Sequence, residues 1–331
     1  MLLSPRRELG RTGFVATQVG LGDLADRRID ATTCVATLRR GLDAGINLVD
    51  TAPSYEDGYS EEIVGRALHG RRKGVFLIDK IDHVDQPVAE QVAGSLARLG
   101  LDHADAFVFH GVSALADWDA VASPGGGLDQ LAEEVTAGRA RFAGISSHHP
   151  DILDLALRDG RCDLLMFPVG PFVHPLYTDD ILPRARAAGV GTVCFKTFGA
   201  GKLLGDTSGY NQPLQTRPRG KLSSGGTATD MPTLPRLTVE ECLHYTLTLD
   251  PDVALLGLSF PNEQDAAFAA ARCFRPLDRE AMEDIRLRGL RAVIGKGSVW
   301  WNPPADRRPK WIATATNTSW LPRRDPPQTS S

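Results

Sequence analysis

Asp50, Tyr55, Lys80 and His110 are four titratable residues that each fall at or just past the C-terminal end of a short apolar run. Asp50 closes Ile46-Asn47-Leu48-Val49, and Tyr55 follows in Asp50-Thr51-Ala52-Pro53-Ser54-Tyr55. Lys80 closes Val75-Phe76-Leu77-Ile78-Asp79, and His110 closes Ala106-Phe107-Val108-Phe109. An acid, a phenol, an amine and an imidazole on one rim can protonate a carbonyl oxygen while another group supplies hydride. A free phenol, with a pKa of about 10, is a poor acid at neutral pH, but a neighbouring ammonium stabilises the phenolate. Lys80 suits that part. Asp50 offers the counter-charge that a partly buried ammonium needs, and His110 can hydrogen-bond and orient the substrate oxygen. Each residue also has a plainer reading: Asp50 as a cap on the Thr51-Ala52-Pro53 turn, Tyr55 as a rim aromatic, Lys80 as a solvated strand end, His110 as a core histidine. Perturbed titratable groups can be structural; it is the complementary set on one rim that points to catalysis.

What must position them is a series of buried strands. Parallel strands covered on both faces read as continuous apolar runs, and eight are present: Val15–Gly22, Ile46–Val49, Val75–Ile78, Ala106–Phe109, Phe142–Ile145, Leu164–Phe167, Gly191–Phe195 and Val253–Leu258. Helical patterns fall between them over Thr32–Ala44, from an N-cap at Ser60, and over Pro87–Leu99, Leu128–Ala137, Pro150–Leu157, Asp179–Ala188, Thr238–Leu249 and Glu263–Arg272. Gly45 and Gly100 supply stop signals. Eight alternating units predict a closed α/β barrel, whose working residues gather at the C-terminal strand ends. Gly20-Leu21-Gly22 runs into Asp23-Leu24-Ala25, so the glycine fingerprint of a doubly wound nucleotide-binding sheet is missing.

The 331 residues are 42% hydrophobic with a formal charge of −4, which gives no reason to invoke nucleic acid or an anionic membrane. Five cysteines (34, 162, 194, 242, 273) are scattered and odd in number, against a disulfide framework or a zinc site. His148-His149-Pro150 reads as a helix-start loop rather than a metal site, since no further ligands stand at zinc spacing. No run approaches the ~18 apolar residues of a membrane span, and the N-terminus lacks the apolar stretch of a secretory signal. A cytoplasmic protein is the expectation. The Asp206–Pro235 connection, dense in Gly, Pro, Ser and Thr, reads as a lid or a disordered segment. The tail carries Trp300, Trp301, Trp311 and Trp320 before a polar, Pro-rich end; these rings suit either core packing or a pocket wall.

At this point the chain resembles the aldo-keto reductase family, over about residues 8–295. Glu8-Leu9-Gly10-Arg11-Thr12-Gly13 resembles the family's opening hairpin. Gly45-Ile46-Asn47-Leu48-Val49-Asp50-Thr51-Ala52 with Tyr55 and Ser60-Glu61, then Ser95–Asp102 with Asp105 and His110, then Gly138–Ser147, are similar to its three signatures. The resemblance implies a (β/α)8 TIM barrel with an N-terminal hairpin and an extended C-terminal tail, one domain over 1–331 with the tail at 296–331. It implies an extended NADP or NAD, no metal, and a catalytic tetrad of Asp50, Tyr55, Lys80 and His110. On the cofactor side it implies Asp23 among the binding residues and Ser146 and Ser147 at the carboxamide, with Met166 where an amide-bearing residue is usual. Phe195 would stack on the nicotinamide. Lys196, Thr197, Gly199 and Gly201 would form the pyrophosphate loop, with Leu258, Ser259 and Glu263 at the adenosine end. An anionic 2′-phosphate prefers Arg or Lys, so Glu263 would repel it; unless Arg272 or the 206–235 loop compensates, either NADH or weak binding of both cofactors is the expectation.

The leading expectation is an NAD(P)-dependent oxidoreductase that interconverts an aldehyde or ketone and its alcohol. Its partners would be a small carbonyl or alcohol, not nucleic acid or membrane. A cofactor-sensing regulatory barrel is the alternative. A barrel hydrolase or isomerase lacks both metal-ligand spacing and a nucleophile elbow. Substrate and oligomeric state are not readable from these residues.

Overall fold

The computed structural model describes residues 5–22, 25–204, 236–258, 261–294, 299, 301 and 302. The expectations for the 206–235 connection, for the tail after residue 302, and for Asp23, Leu24, Ser259 and Trp300 lie outside the described residues.

The first apolar run divides in two. A hairpin pairs β1 (Arg6–Glu8) with β2 (Val15–Thr17), and β3 (Val19–Gly22) then enters the barrel. Seven further strands follow: β4 (Leu48–Asp50), β5 (Phe76–Ile81), β6 (Ala106–Phe109), β7 (Phe142–Ser146), β8 (Leu164–Pro168), β9 (Gly191–Phe195) and β10 (Val253–Leu256). All are parallel, and β10 pairs with both β9 and β3 to close the barrel. The expected (β/α)8 barrel with its hairpin is the fold found.

Side-chain alternation along a strand decides which residues face the axis. Leu48, Phe76, Ile78, Ala106, Val108, Leu164, Met166, Val193, Val253 and Leu255 form an inner cluster, closed by Leu9 and Ala16 of the hairpin segment. Val49, Leu77, Ile81, Phe107 and Phe109 belong to a second cluster beneath the helices. By the same parity Asp50, Lys80 and His110 continue inward, while Asp79 is turned to the helix layer.

The helices begin with α1 (Ala31–Asp43), capped by the Asp30 carboxylate on Thr33 N–H at 2.9 Å. Next are α2 (Tyr59–Leu68), α3 (Val88–Leu99), α4 (Leu115–Ala122), α5 (Gly127–Thr136), α6 (Pro150–Asp159), α7 (Leu182–Ala187), α8 (Val239–Thr248), α9 (Pro261–Cys273) and α10 (Arg279–Ala292). Three differ from the sequence reading. Ser60 does not cap α2: left-handed Gly58 opens the helix, and the Ser60 hydroxyl is buried, accepting from Thr51 Oγ1 at 3.0 Å. Helices α4 and α10 were not expected. Half of the α10 segment is charged and it buries only Ile285, Gly289 and Ala292, so its apolar stripe is thin.

Close helix packing yields one stability expectation. A Cβ on Gly65 of α2 would stand 1.9 Å from the Leu99 carbonyl oxygen at the end of α3. Backbone cannot move aside cheaply, so Gly65→Ala is expected to cost about 1–3 kcal/mol as overpacking, read as a lower urea midpoint at unchanged slope. An unchanged or higher midpoint, as helix propensity alone would give, contradicts it.

Candidate active site

The ends of β4, β5 and β6 deliver three of the four expected residues, Asp50, Lys80 and His110. Lys80 Nζ donates to both Asp50 oxygens, at 2.6 and 2.7 Å, and to the Thr51 carbonyl at 2.7 Å. Both side chains are 2% exposed. Burial alone would lower the Lys80 pKa, but the Asp50 charge, with help from Tyr55 and Asp79, outweighs it and holds the ammonium above its ordinary value. Asp79, facing the helices, is raised well above the carboxylate range, by burial first and the Glu61 charge second.

Tyr55 lies against this pair, with Lys80 Nζ 4.6 Å from its ring centroid. The following residues, Glu56, Asp57 and Gly58, are all left-handed, with φ of 54°, 52° and 83°. Two non-glycine residues in that region are strained and persist only where other contacts enforce them. Arg27 supplies such contacts, donating to the Glu56 and Asp57 carbonyls at 2.6 and 2.9 Å. His110 meets Tyr55 edge to face at 5.5 Å between centroids. Its backbone N–H donates to Ile81 O at 2.9 Å, and its Nδ1 lies 2.5 Å from Asp82 Oδ1. The other Asp82 oxygen accepts the Ser54 N–H at 2.7 Å.

Further round the rim, β7 and β8 bring Ser146 opposite Met166. Phe195, half-buried at the end of β9, lies 5.0 Å from the His148 ring. Burial, then the Lys196 and His110 charges, push His148 down to about 3, so it is neutral near pH 7. Lys196, Gly199, Ala200 and Gly201 are left-handed, with φ of 74°, 55°, 52° and 87°. Between them Thr197 is buried, its Oγ1 without a hydrogen-bond partner among the described residues. Lys202 is fully buried beside them. Trp301 packs on this loop: a Cβ on Gly199 would come within 3.8 Å of its ring, and its Nε1 donates to Phe172 O at 3.1 Å. At the next strand end Leu258 and Glu263 are both buried, Glu263 in the first turn of α9.

The Aldo/keto reductase family model matches residues 17–270. The chain belongs to the aldo/keto reductase family. Aldo-keto reductase YhdN of Bacillus subtilis is 29% identical over 212 residues, 59% of this chain and 62% of that protein. The chain thus spans under two thirds of that relative. An NADH-specific methylglyoxal reductase of Escherichia coli is 27% identical over 227 residues, 60% of this chain and 68% of that protein. Among solved structures, a holo aldo-keto reductase from Bacillus halodurans superposes with a TM-score of 0.65 at 24% identity, covering 86% of this chain and 95% of that one.

Within this aldo/keto reductase several positions differ from what the resemblance implied. Ser147 does not offer a free hydroxyl: its Oγ accepts from His149 N–H at 3.1 Å and faces His149 O at 3.3 Å, closing the turn into α6. Met166 brings a thioether beside Ser146, and Asp23 lies outside the described residues. Arg272 stands nine residues along α9 from Glu263, roughly 13 Å at helical rise. Arg40, nearer, is already donating to Pro261 O and Gln264 Oε1, each at 3.1 Å. Of the tail tryptophans read as either core or pocket wall, Trp301 is buried and packs as core against the loop. Among the described residues Glu240, His244 and Cys273 bring potential metal ligands within 4.8 Å, but His244 Nε2 lies 2.9 Å from the Ala270 carbonyl and serves to cap it.

Asp82, Arg27, His148 and Lys202 were not picked out from the sequence as site residues. For Asp82 a signal existed: it keeps the inward parity of Ile78 and Lys80.

Proposed function

We propose that this protein interconverts an aldehyde or ketone and its alcohol, with Tyr55 as general acid and base and NADH as the preferred cofactor. The observation that carries this is the buried Lys80–Asp50 pair directly behind Tyr55, with the His110 ring packed nearly perpendicular to the same ring.

The family's nicotinamide, when bound, supplies hydride to the carbonyl carbon. Tyr55 gives its phenolic proton to the oxygen, and the Lys80 charge stabilises the phenolate left behind. Asp50 keeps that ammonium from standing uncompensated in a buried cleft. His110 hydrogen-bonds the oxygen and fixes it between ring and phenol. In the reverse direction the phenolate removes the alcohol proton.

Residues able to hold the cofactor fit it in part. Successive left-handed residues turn N–H groups toward a common point and favour anions, and the buried Thr197 hydroxyl sits inside that loop beside Lys196. Phe195 can stack on the nicotinamide. Ser146 would offer its hydroxyl to the carboxamide. Glu263 occupies the N-terminal turn of α9, the end of a helix that would otherwise favour a phosphate.

The test is a fluorescence titration with NADH and NADPH, followed by turnover on small aldehydes; methylglyoxal, named for the E. coli relative, is the first probe. NADH is expected to bind more tightly. Glu263→Arg is expected to shift the NADPH:NADH affinity ratio by about ten- to a hundredfold toward NADPH, the size of a charge-assisted bond. A wild-type preference for NADPH, or no shift in the variant, rejects the cofactor assignment.

A further inference from the structure

The turn that carries Tyr55 is built from residues that do not favour its shape. Glu56 and Asp57 are both left-handed, with φ of 54° and 52°, ahead of left-handed Gly58. An L side chain in that region crowds the following carbonyl. Aspartate tolerates it better than most residues and glutamate does not. The strain therefore falls chiefly on Glu56, the residue directly after Tyr55.

Arg27 opposes that strain from a different element, the loop between β3 and α1. Its Nε and Nη2 donate to the Glu56 and Asp57 carbonyls at 2.6 and 2.9 Å. Those two nitrogens form one edge of a rigid, planar fork. Successive carbonyls point the same way along a helical turn of either hand, and to opposite sides of an extended chain. The fork can meet both oxygens only while the turn stays wound. The loop that presents Arg27 is itself held. The buried Asp26 carboxylate accepts from Arg28 N–H and Nη2, each at 2.9 Å, and the Asp26 carbonyl accepts from Ile29 N–H at 2.9 Å. The Tyr59 hydroxyl donates to Ile29 O at 3.1 Å, which ties the start of α2 to the same loop. Arg98 encloses the turn as well: a Cβ on Gly58 would stand 2.6 Å from Arg98 Cδ.

The clamp reaches Tyr55 through the backbone. Tyr55 O accepts Ser60 N–H at 3.3 Å, and Glu56 O accepts Tyr59 N–H at 3.2 Å beside its bond from Arg27. We propose that Arg27 is a positioning residue for Tyr55: by gripping two successive carbonyls it holds the strained turn wound and so keeps the phenol in register with Lys80 and His110. The proposal rests on the carbonyl-reductase reading, and it gives Arg27 no contact with substrate or cofactor.

The test compares Arg27→Lys with the same change placed on a glycine turn. Lysine keeps the charge and loses the fork. Arg27→Lys is expected to lower kcat for aldehyde reduction by about ten- to a hundredfold, the cost of misplacing a reacting group by roughly an ångström. The aldehyde KM and the NADH dissociation constant are expected to stay within about threefold, since no binding contact is removed. The triple variant with Glu56→Gly and Asp57→Gly is expected to recover most of the lost kcat, because glycine takes up the left-handed region without penalty. A purely architectural role for Arg27 would give no such rescue. Hydrogen exchange of the 51–60 segment, measured without cofactor, is expected to be about tenfold faster in Arg27→Lys, as a locally opened turn requires. Three outcomes overturn the proposal: an Arg27→Lys enzyme with wild-type kcat, a loss confined to KM, or a triple variant that recovers nothing. Should Arg27→Lys fold poorly, the triple variant decides, and one that also folds poorly overturns the proposal. A protein that reduces no aldehyde sinks the reductase reading instead. Exchange then still reports on the clamp, and protection of residues 51–60 that is unchanged in Arg27→Lys overturns it.

Discussion

Tyr55→Phe is expected to reduce carbonyl turnover by about a hundred- to ten-thousandfold, the range for loss of a positioned general acid, while NADH affinity stays within about threefold. The separation follows from what the ring touches. Its face lies 4.6 Å from Lys80 Nζ and its edge meets His110 at 5.5 Å, contacts that a phenylalanine ring repeats. Packing and the neighbouring charges are therefore kept, and only the transferable proton is removed. A loss confined to kcat and kcat/KM, with the cofactor still bound, is the signature of an interaction made in the transition state. Stopped-flow oxidation of prebound NADH by an aldehyde measures the step directly. The same variant separates the enzyme from the cofactor-sensing barrel: a sensor would keep its cellular role in Tyr55→Phe, and an unchanged hydride-transfer rate would remove Tyr55 from the chemistry.

The catalytic half of this site was legible because barrel geometry converts sequence position into direction. An acid, an amine and an imidazole at the ends of β4, β5 and β6 share inward parity with Leu48, Ile78 and Val108, so reading the apolar runs also located the groups that point into the barrel. The partner of His110 was harder to see because it lies just past the strand that already supplied Lys80, two residues later, where the run of apolar residues has ended. Arg27 was hidden for another reason. Its role depends on three left-handed residues after Tyr55, and only one of them, Gly58, carries a sequence mark for that conformation.

The cofactor half was legible in outline and unreliable in detail. The turn after β9 could be placed because Gly199 and Gly201 follow a strand end. The carboxamide contacts could not, since a serine is compatible with binding a ligand or with closing its own turn, and Ser147 does the second. Helix α10 escaped for a related reason: an Arg- and Glu-rich segment with three buried positions has little apolar periodicity, and its place is set by packing, where a Cβ on Gly289 would come within 3.3 Å of Pro171 O and 3.5 Å of a Leu203 methyl. Local pattern reports burial faces well, whereas side-chain hydrogen-bond choices depend on neighbours distant in sequence.

Lys80→Met is expected to cost both activity and about 3–5 kcal/mol of stability, the penalty for stripping one partner from a buried ion pair. Methionine fills a similar volume but leaves the Asp50 carboxylate, 2% exposed, without its cation, and takes the donor from the Thr51 carbonyl. The double variant Asp50→Asn with Lys80→Met removes both charges and is expected to regain most of the lost stability, since replacing a whole buried pair is far less costly than halving it. It is not expected to regain activity, because no ammonium then faces Tyr55. The pH dependence has a definite sign. The folded Lys80 pKa is raised, so its contribution is fully present below the unfolded value of about 10.4 and is lost as pH rises through the folded one. Urea midpoints measured at neutral pH and again at alkaline pH are thus expected to draw the wild type toward Lys80→Met only on the alkaline side. A single variant within about 1 kcal/mol of wild type at neutral pH, well short of a broken buried pair, would mean that water or a rearranged side chain compensates Asp50. The Asp50–Lys80 pair could then no longer be held to be the buried element that sets the charge behind Tyr55.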